Sequence, residues 1–216
     1  DIAGTNLPGR RLSGDYFDYI QIPNGHLGIA VADVSGKGVP AALLAASLQA
    51  TLRSHVENLY SIATIMERAN NSFCRTTAPE SFATLFYGVF DPAGELTYVN
   101  AGHNPPLLVR ASGAVESLKE GGTVLGMFPG TRYTEGRANL QPGDTLVIYS
   151  DGLSEAECDG ELFGESRIVD VVRGLTGALA RVVASALITE ADSFSGAGAS
   201  PDDMTVVVVK RSDGGR

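Results

Sequence analysis

An α+β fold rich in antiparallel hairpins is what this sequence predicts, and three observations carry that expectation. Strand-like runs recur in pairs around short turn signals: YFDYIQI and HLGIAVAD around PNG, ATLFYGVF and ELTYVN around DPAG, LLVR and VESL around ASGA. Two stretches, 40–56 and 61–76, carry apolar residues at helical spacing instead. Neither an internal repeat nor a splitting linker interrupts the 216 residues, so 1–216 reads as a single domain.

The elements follow in order. The first hairpin spans roughly 15–34. In the helix from Pro40 to about Val56, Leu44, Leu48, Leu52 and Val56 recur every four residues, and Pro40 suits a first turn where its missing N–H costs nothing. From Ser61 to about Thr76, Ile62, Ile65, Met66, Ala69 and Phe73 form one apolar stripe, read as core packing. DPAG puts Pro92 in the second place of a turn and Gly94 in the fourth. GDTLVIYSDG is a turn, an apolar strand and a sharp stop. Two helices are expected near 165–174 and 178–191, and the low-complexity loop SFSGAGASP leads into the last strand, MTVVVVK.

Composition narrows the function. A net charge of −9 repels a phosphate backbone, and the basic residues are scattered, so nucleic acid is not an expected partner. No apolar run approaches the ~20 residues that cross a bilayer, and no membrane contact by this domain is expected. Cys74 and Cys158 are two isolated thiols, which favours a reducing cytoplasm. Neither has Arg at the sixth position after it (Glu80 and Gly164 stand there), which argues against a cysteine-nucleophile phosphatase loop. The chain opens on Asp1 with no Met and no signal peptide, so it is expected to be a fragment of something longer.

The chemistry lies in acids at strand ends. If Pro23-Asn24-Gly25 forms a three-residue loop, a type I turn followed by a left-handed glycine, then Ile22 faces His26 and Asp15 sits opposite Asp33 on one face. A two-residue Asn-Gly loop would place the two acids on opposite faces, and the sequence favours neither register decisively. Facing carboxylates ~4 Å apart repel by about 4 kcal/mol at an effective dielectric near 20, which a protonated acid or an intervening cation would relieve. All-oxygen ligands favour Mg2+ or Mn2+, and three scattered histidines give no zinc spacing. Asp151 in SDG, and Asp202 with Asp203 in SPDDMTVVVV, stand at two further strand ends. Singly each is a routine turn residue; jointly, four carboxylates would balance two divalent ions.

GDYFD (14–18), ADVSGKGVPAALLAA (32–46), NAGHNPPLL (100–108), SDGLSEAE (150–157), LFGESRI (162–168) and DDMTVVVV (202–209) resemble, in order, the motifs of SpoIIE/RsbU-type bacterial serine phosphatases. These are a branch of the metal-dependent (PPM, type 2C) protein phosphatases, and the match runs from about Leu12 to Lys210. The resemblance implies a sandwich of two antiparallel sheets flanked by helices, with two Mn2+ or Mg2+ ions. It carries the ligands onto Asp15, Asp33 as the bridging acid, the carbonyl of Val34, Asp151 and Asp202, with Asp18 and Asp203 as supporting or surface groups. Two points depart: Ser13 precedes Gly14 where the family has a second glycine, and Arg10 lacks the context of the arginine that holds phosphate in eukaryotic relatives.

The implied reaction is hydrolysis of a phosphoserine or phosphothreonine monoester by metal-activated water, the carboxylates holding metal and no side chain acting as nucleophile. GKG at 36–38 is not a P-loop, because Gly38 follows Lys37 and Val31 occupies the earlier glycine position. Lys37 is read as a surface residue, and His103 as a turn residue bonded within its own loop. The resemblance further implies a phosphorylated anti-anti-sigma (STAS-domain) protein as partner, in sigma-factor regulation. It implies too that the chain is the C-terminal part of a longer sensor protein, and leaves open a homodimer or a membrane tether through upstream segments. The competing readings are a non-catalytic phosphatase-like binding module and a phosphatase of an unrelated phosphoprotein.

Overall fold

A computed structural model of the chain describes residues 1–9, 13–56, 61–196 and 202–212. The elements begin β1 (Ile2–Leu7), β2 (Asp15–Ile22), β3 (His26–Val34), α1 (Val39–Val56) and α2 (Ile62–Thr76). Then come β4 (Ala83–Phe90), β5 (Glu95–Ala101), β6 (Leu107–Val109), β7 (Val115–Ser117), β8 (Gly121–Gly122) and β9 (Gly136–Asn139). The chain continues with β10 (Thr145–Tyr149), α3 (Asp151–Ser154), β11 (Glu157–Cys158), β12 (Glu161–Leu162), α4 (Gly164–Gly174), α5 (Ala180–Phe194) and β13 (Met204–Lys210). The result is α+β, with two large sheets and helices on each. It divides into two compact units: a hairpin unit of Leu12–His103 and Lys119–Asn139, and a terminal unit of Asp1–Arg11, Asn104–Leu118 and Leu140–Arg216.

The hairpin unit is built on a sheet ordered β2-β3-β4-β5-β8, with β9 also on β5; only the β5–β8 pair is parallel. The three-residue loop forms. Ile22 faces His26 and Asp15 faces Asp33, so the register left open by the sequence resolves in favour of the facing acids. The turn differs in one detail. Asn24 (φ 62°) joins Gly25 (φ 75°) in the left-handed region, which asparagine tolerates better than other non-glycine residues. Alternation sends Ala30, Ala32 and Val34 of β3 to the side covered by α1 and α2, where Ile20, Leu85, Tyr87 and Val99 complete the core.

All five predicted apolar positions of α2 are buried. In α1 the buried set is Ala41, Ala45, Leu48, Leu52 and Val56, and Leu44 is only half-buried. A strict four-residue spacing drifts by about 40° per step around a helix of 3.6 residues per turn, so the first leucine falls to the side of the stripe.

The terminal unit carries the sheet β1-β13-β10-β6-β7, antiparallel throughout. β13 lies between β1 and β10, and Val206, Val207 and Val208 are fully buried. Val206 and Val208 pack with Ile168, Val172, Val183 and Leu187 of α4 and α5. β1 went unpredicted because IAGTNL has no strong strand pattern; its pairing with β13 makes it a strand. Among the described residues, no helix is long and apolar enough to cross a membrane.

Candidate metal centre

The hairpin unit lines up a row of polar side chains across three strands. Asp15 of β2 faces Asp33 of β3, and Asp33 in turn faces Thr84 of β4. These positions lie on the sheet face opposite to Ala32 and Val34. Asp15 is buried and Asp33 half-buried. Thr84 was not singled out in the sequence. Its hydroxyl is 2.8 Å from His103 Nδ1. His103, itself buried, donates its backbone N–H to Asn100 Oδ1 (2.7 Å), and Asn100 Nδ2 donates back to the His103 carbonyl (3.0 Å). NAGHN is therefore a self-tied loop, and its histidine is anchored beside the Asp15–Asp33–Thr84 row.

The carbonyl of Val34 is reached through Gly14: a Cβ there would sit 3.0 Å from that oxygen and 3.4 Å from Ala41 Cβ. The chain after Val34 then turns sharply, through Gly36 (φ 101°) and Gly38 (φ 73°), into α1. Ser35 fastens this turn to the start of β4, its N–H donating to the Phe82 carbonyl and its hydroxyl accepting from the Phe82 N–H (2.9 Å each). Lys37 is exposed, as expected. Arg10 lies outside the described residues.

Asp18 does not join the row. It sits three residues along β2, on the other face, where Arg53 of α1 grips it with Nε and Nη2 at 2.7 Å each and Gln49 adds a bond at 3.2 Å. Burial alone would push this carboxyl up, but the bonds from Arg53 and Gln49 and the guanidinium charge hold it below the usual carboxylate range. The expectation that Asp18 supports the ligands gives way to a different role: it attaches α1 to the sheet.

In the terminal unit, Asp151 opens α3 immediately after β10. Ser150 N–H donates to the Thr205 carbonyl, Thr205 N–H donates to Ser150 Oγ, and Ser150 Oγ donates to the Asp203 carbonyl. These bonds stitch SDG to DDMT, side by side. Gly152 is the second residue of α3, and it is small because the Asp203 carbonyl passes 2.2 Å from where its Cβ would be. Asp202 is exposed, and its Oδ1 accepts the Asp203 N–H (3.1 Å). Asp203 Oδ1 accepts the Gly9 N–H (2.9 Å), tying the residues after β1 to the start of β13.

The predicted acids thus fall into two groups, Asp15 with Asp33 in one unit and Asp151 with Asp202 in the other. Within neither unit do three His, Cys, Asp or Glu side chains gather into a ready cluster among the described residues. The donors nonetheless suit a hard cation: carboxylates in facing register, and a main-chain carbonyl approached closely at Gly14. Sequence reasoning missed Thr84 and the Ser150–Thr205 stitch, since single hydroxyls in strands carry no spacing signal.

The family model for stage II sporulation protein E (SpoIIE) matches residues 23–212. Among curated proteins, the chain is 27% identical to Protein IcfG of Synechocystis sp. (95% of this chain, 37% of that protein). It is 29% identical to the phosphoserine phosphatase RsbU of Bacillus subtilis (74% of this chain, 48% of that protein). The chain therefore spans less than half the length of these relatives. Among solved structures, the RsbU and RsbW domains of Rv1364c from Mycobacterium tuberculosis match at 26% identity with a TM-score of 0.86, over 100% of this chain and 62% of that one. The catalytic domain of the serine/threonine phosphatase PstP, solved with two manganese ions, shares the fold at 18% identity and TM-score 0.73, over 99% of this chain and 98% of that one.

Proposed function

The chain belongs to the SpoIIE family, the SpoIIE/RsbU branch of the PP2C-type phosphatases, and from that premise we propose that it hydrolyses phosphoserine or phosphothreonine on a protein, using two divalent metal ions. The ligands proposed are Asp15, Asp33, the Val34 carbonyl, Asp151 and Asp202. One observation carries the reading: the β2–β3 register sets Asp15 directly against Asp33. Like charges in facing positions destabilise a sheet, and a divalent cation offsets that cost. The manganese ions of PstP and the magnesium of RsbX, both of the same fold, support Mn2+ or Mg2+ as the ions.

When bound, such ions supply Lewis acidity, lowering the pKa of water and offsetting charge on phosphoryl oxygens. The chain's own residues hold and orient. Asp15 and Asp33 are presented from paired strands, whose spacing the sheet sets. Gly14 leaves room at the Val34 carbonyl, and the Ser150–Thr205 bonds keep the segment bearing Asp151 beside the one bearing Asp202. His103 positions its loop through Asn100 and is given no proton to move.

A phosphorylated anti-anti-sigma protein of the STAS type is the substrate we propose. The likeness to RsbU and RsbP, and to a protein that carries RsbU and RsbW domains, supports this. Two free thiols fit a cytoplasmic setting.

The deciding experiment incubates the chain with Mn2+ and either a serine-phosphorylated STAS protein or p-nitrophenyl phosphate, then repeats with chelator and with Asp151→Asn. Turnover should need the metal and fall at least 100-fold in the variant. Metal-independent turnover, or a fully active Asp151→Asn, would reject the site; turnover of the small ester but not of the phosphoprotein would reject the substrate.

A further inference from the structure

The hairpin unit contains a cavity of about 430 Å3 that the proposed hydrolysis does not use. It lies at the far end of β2 and β3 from Asp15 and Asp33, about 20 Å away at the rise of an extended strand. Its volume is in the range of small-molecule sites. Ile22 and Val89 contribute the sheet side, and Val56, Ile62 and Ile65 close it from the end of α1 and the first turns of α2.

A buried polar atom marks the sheet side. Tyr87 lines the cavity and is wholly buried, and its hydroxyl has no hydrogen-bond partner among the described residues. Gly28 makes room for that hydroxyl: a Cβ at 28 would come within 3.1 Å of it and 3.3 Å of Ile22 Cδ1. A buried hydroxyl without a partner carries a desolvation cost of about 1–3 kcal/mol, which a ligand atom accepting or donating there would recover.

The charge at the mouth selects the ligand's other end. Asp91, Glu95 and Glu135 line it, against one guanidinium, Arg137, which pairs with Glu95 at 3.4 Å. The start of α2, which would otherwise attract an anion, is already capped: Ser61 Oγ accepts the Thr64 N–H and Glu135 Oε1 accepts the Ala63 N–H. The mouth therefore repels anions and attracts a cation.

We propose that this cavity binds an aromatic amine: an apolar ring between Ile62, Ile65 and Val89, a ring N–H or O–H on the Tyr87 hydroxyl, and an ammonium group among Asp91, Glu95 and Glu135. The inference does not rest on the phosphatase reading, and its test needs no turnover.

Three probes sharing one indole ring, tryptamine, tryptophol and indole-3-acetate, are titrated into the 216-residue chain by calorimetry and ligand-observed NMR. Tryptamine should bind saturably, tryptophol about 3- to 10-fold more weakly, and indole-3-acetate more weakly still. Tyr87→Phe keeps the ring and removes only the hydroxyl, and should weaken tryptamine about 3- to 10-fold. The double variant Asp91→Asn, Glu135→Gln keeps a side-chain oxygen to accept the Glu95 and Ala63 N–H groups; with only Glu95 left, and that paired with Arg137, it should bring tryptamine down toward the affinity of tryptophol and leave tryptophol unchanged. Absence of saturable binding by all three probes overturns the proposal. So does indole-3-acetate binding as tightly as tryptamine, or tryptamine binding untouched by the double variant. Should Tyr87→Phe fail to fold, the surface double variant decides alone.

Discussion

Gly152→Ala tests the geometry of the SDG–DDMT contact by the sign of its effect. Gly152 lies inside α3 and is not left-handed, so on helix propensity alone alanine should stabilise the chain by about 1 kcal/mol. The structure predicts the reverse. The new Cβ would stand 2.2 Å from the Asp203 carbonyl oxygen and 2.9 Å from its carbon, so the facing backbone must retreat by roughly 1 Å to reach ordinary contact. Overpacking of this kind costs about 1–3 kcal/mol, enough to overturn the propensity gain. The displaced backbone also carries Asp202, and a 1 Å misplacement at a reacting centre costs about 100-fold in rate. Urea denaturation should show a net loss of about 1 kcal/mol, and Mn2+-dependent hydrolysis of p-nitrophenyl phosphate should fall 10- to 100-fold. A variant more stable than the parent and fully active would refute both the contact and the proposed part of Asp202.

The two adjacent acids should separate on mutation: Asp202→Asn loses about 100-fold in turnover with stability unchanged, whereas Asp203→Ala loses the bond to Gly9 and about 1 kcal/mol while keeping most turnover. Equal losses of turnover would contradict that division. Asp18 has a carboxyl held below its ordinary 3.8, so its support for α1 is complete above that pH and disappears as the pH falls through the lowered value. Urea midpoints between pH 5 and 2.5 should therefore fall more steeply for the parent than for Asp18→Asn, and parallel curves would count against the Arg53 pairing. Asn70 is wholly buried, donating to the Phe128 carbonyl and accepting the Gly126 N–H at 2.9 Å each, so Asn70→Ala strands two backbone groups and should cost about 2–4 kcal/mol by denaturation. A loss under about 1 kcal/mol would mean that water satisfies them.

What the sequence shows of this fold depends on where the stabilising partner lies. The α2 stripe and the β4–β5 turn were legible because their partners are local: periodicity decides one, and the places of Pro92 and Gly94 the other. β1 was not legible, because IAGTNL owes its strand to Val206–Val209, some 200 residues away. Asn70 breaks the apolar stripe of α2 for the same kind of reason, serving a loop that the helix pattern cannot announce. Strand ends and motif order singled out Asp15, Asp33, Asp151 and Asp202, the side-chain ligands proposed here. Asp18 was misjudged because the motif GDYFD says nothing of Arg53, which reaches it from the next helix. Gly152 shows the same limit: a glycine after a strand looks like a turn, and only the path of the Asp203 carbonyl shows it to be a point of close approach.

The buried acids of this chain divide by what the fold sets opposite them. Asp18 meets Arg53. Asp144, almost wholly buried, meets Arg110 at 2.7 Å and the backbone N–H groups of Ala111 and Gln141. In both, burial favours the neutral acid, yet bonds and a guanidinium hold the carboxyl below its ordinary value, so the charge is resolved within the protein. Asp15 is as buried as Asp18, and the register sets another carboxylate opposite it. In the same sheet as Asp18, the β2–β3 register places acid against acid, the arrangement from which the proposed cation is argued. The two classes need different rescues. Asparagine at 18 leaves Arg53 without its charge partner, a loss of stability that metal cannot restore. Asparagine at 33 should instead abolish the stabilisation that added Mn2+ gives the parent, and a variant that Mn2+ still stabilises as much as the parent would reject Asp33 as a ligand.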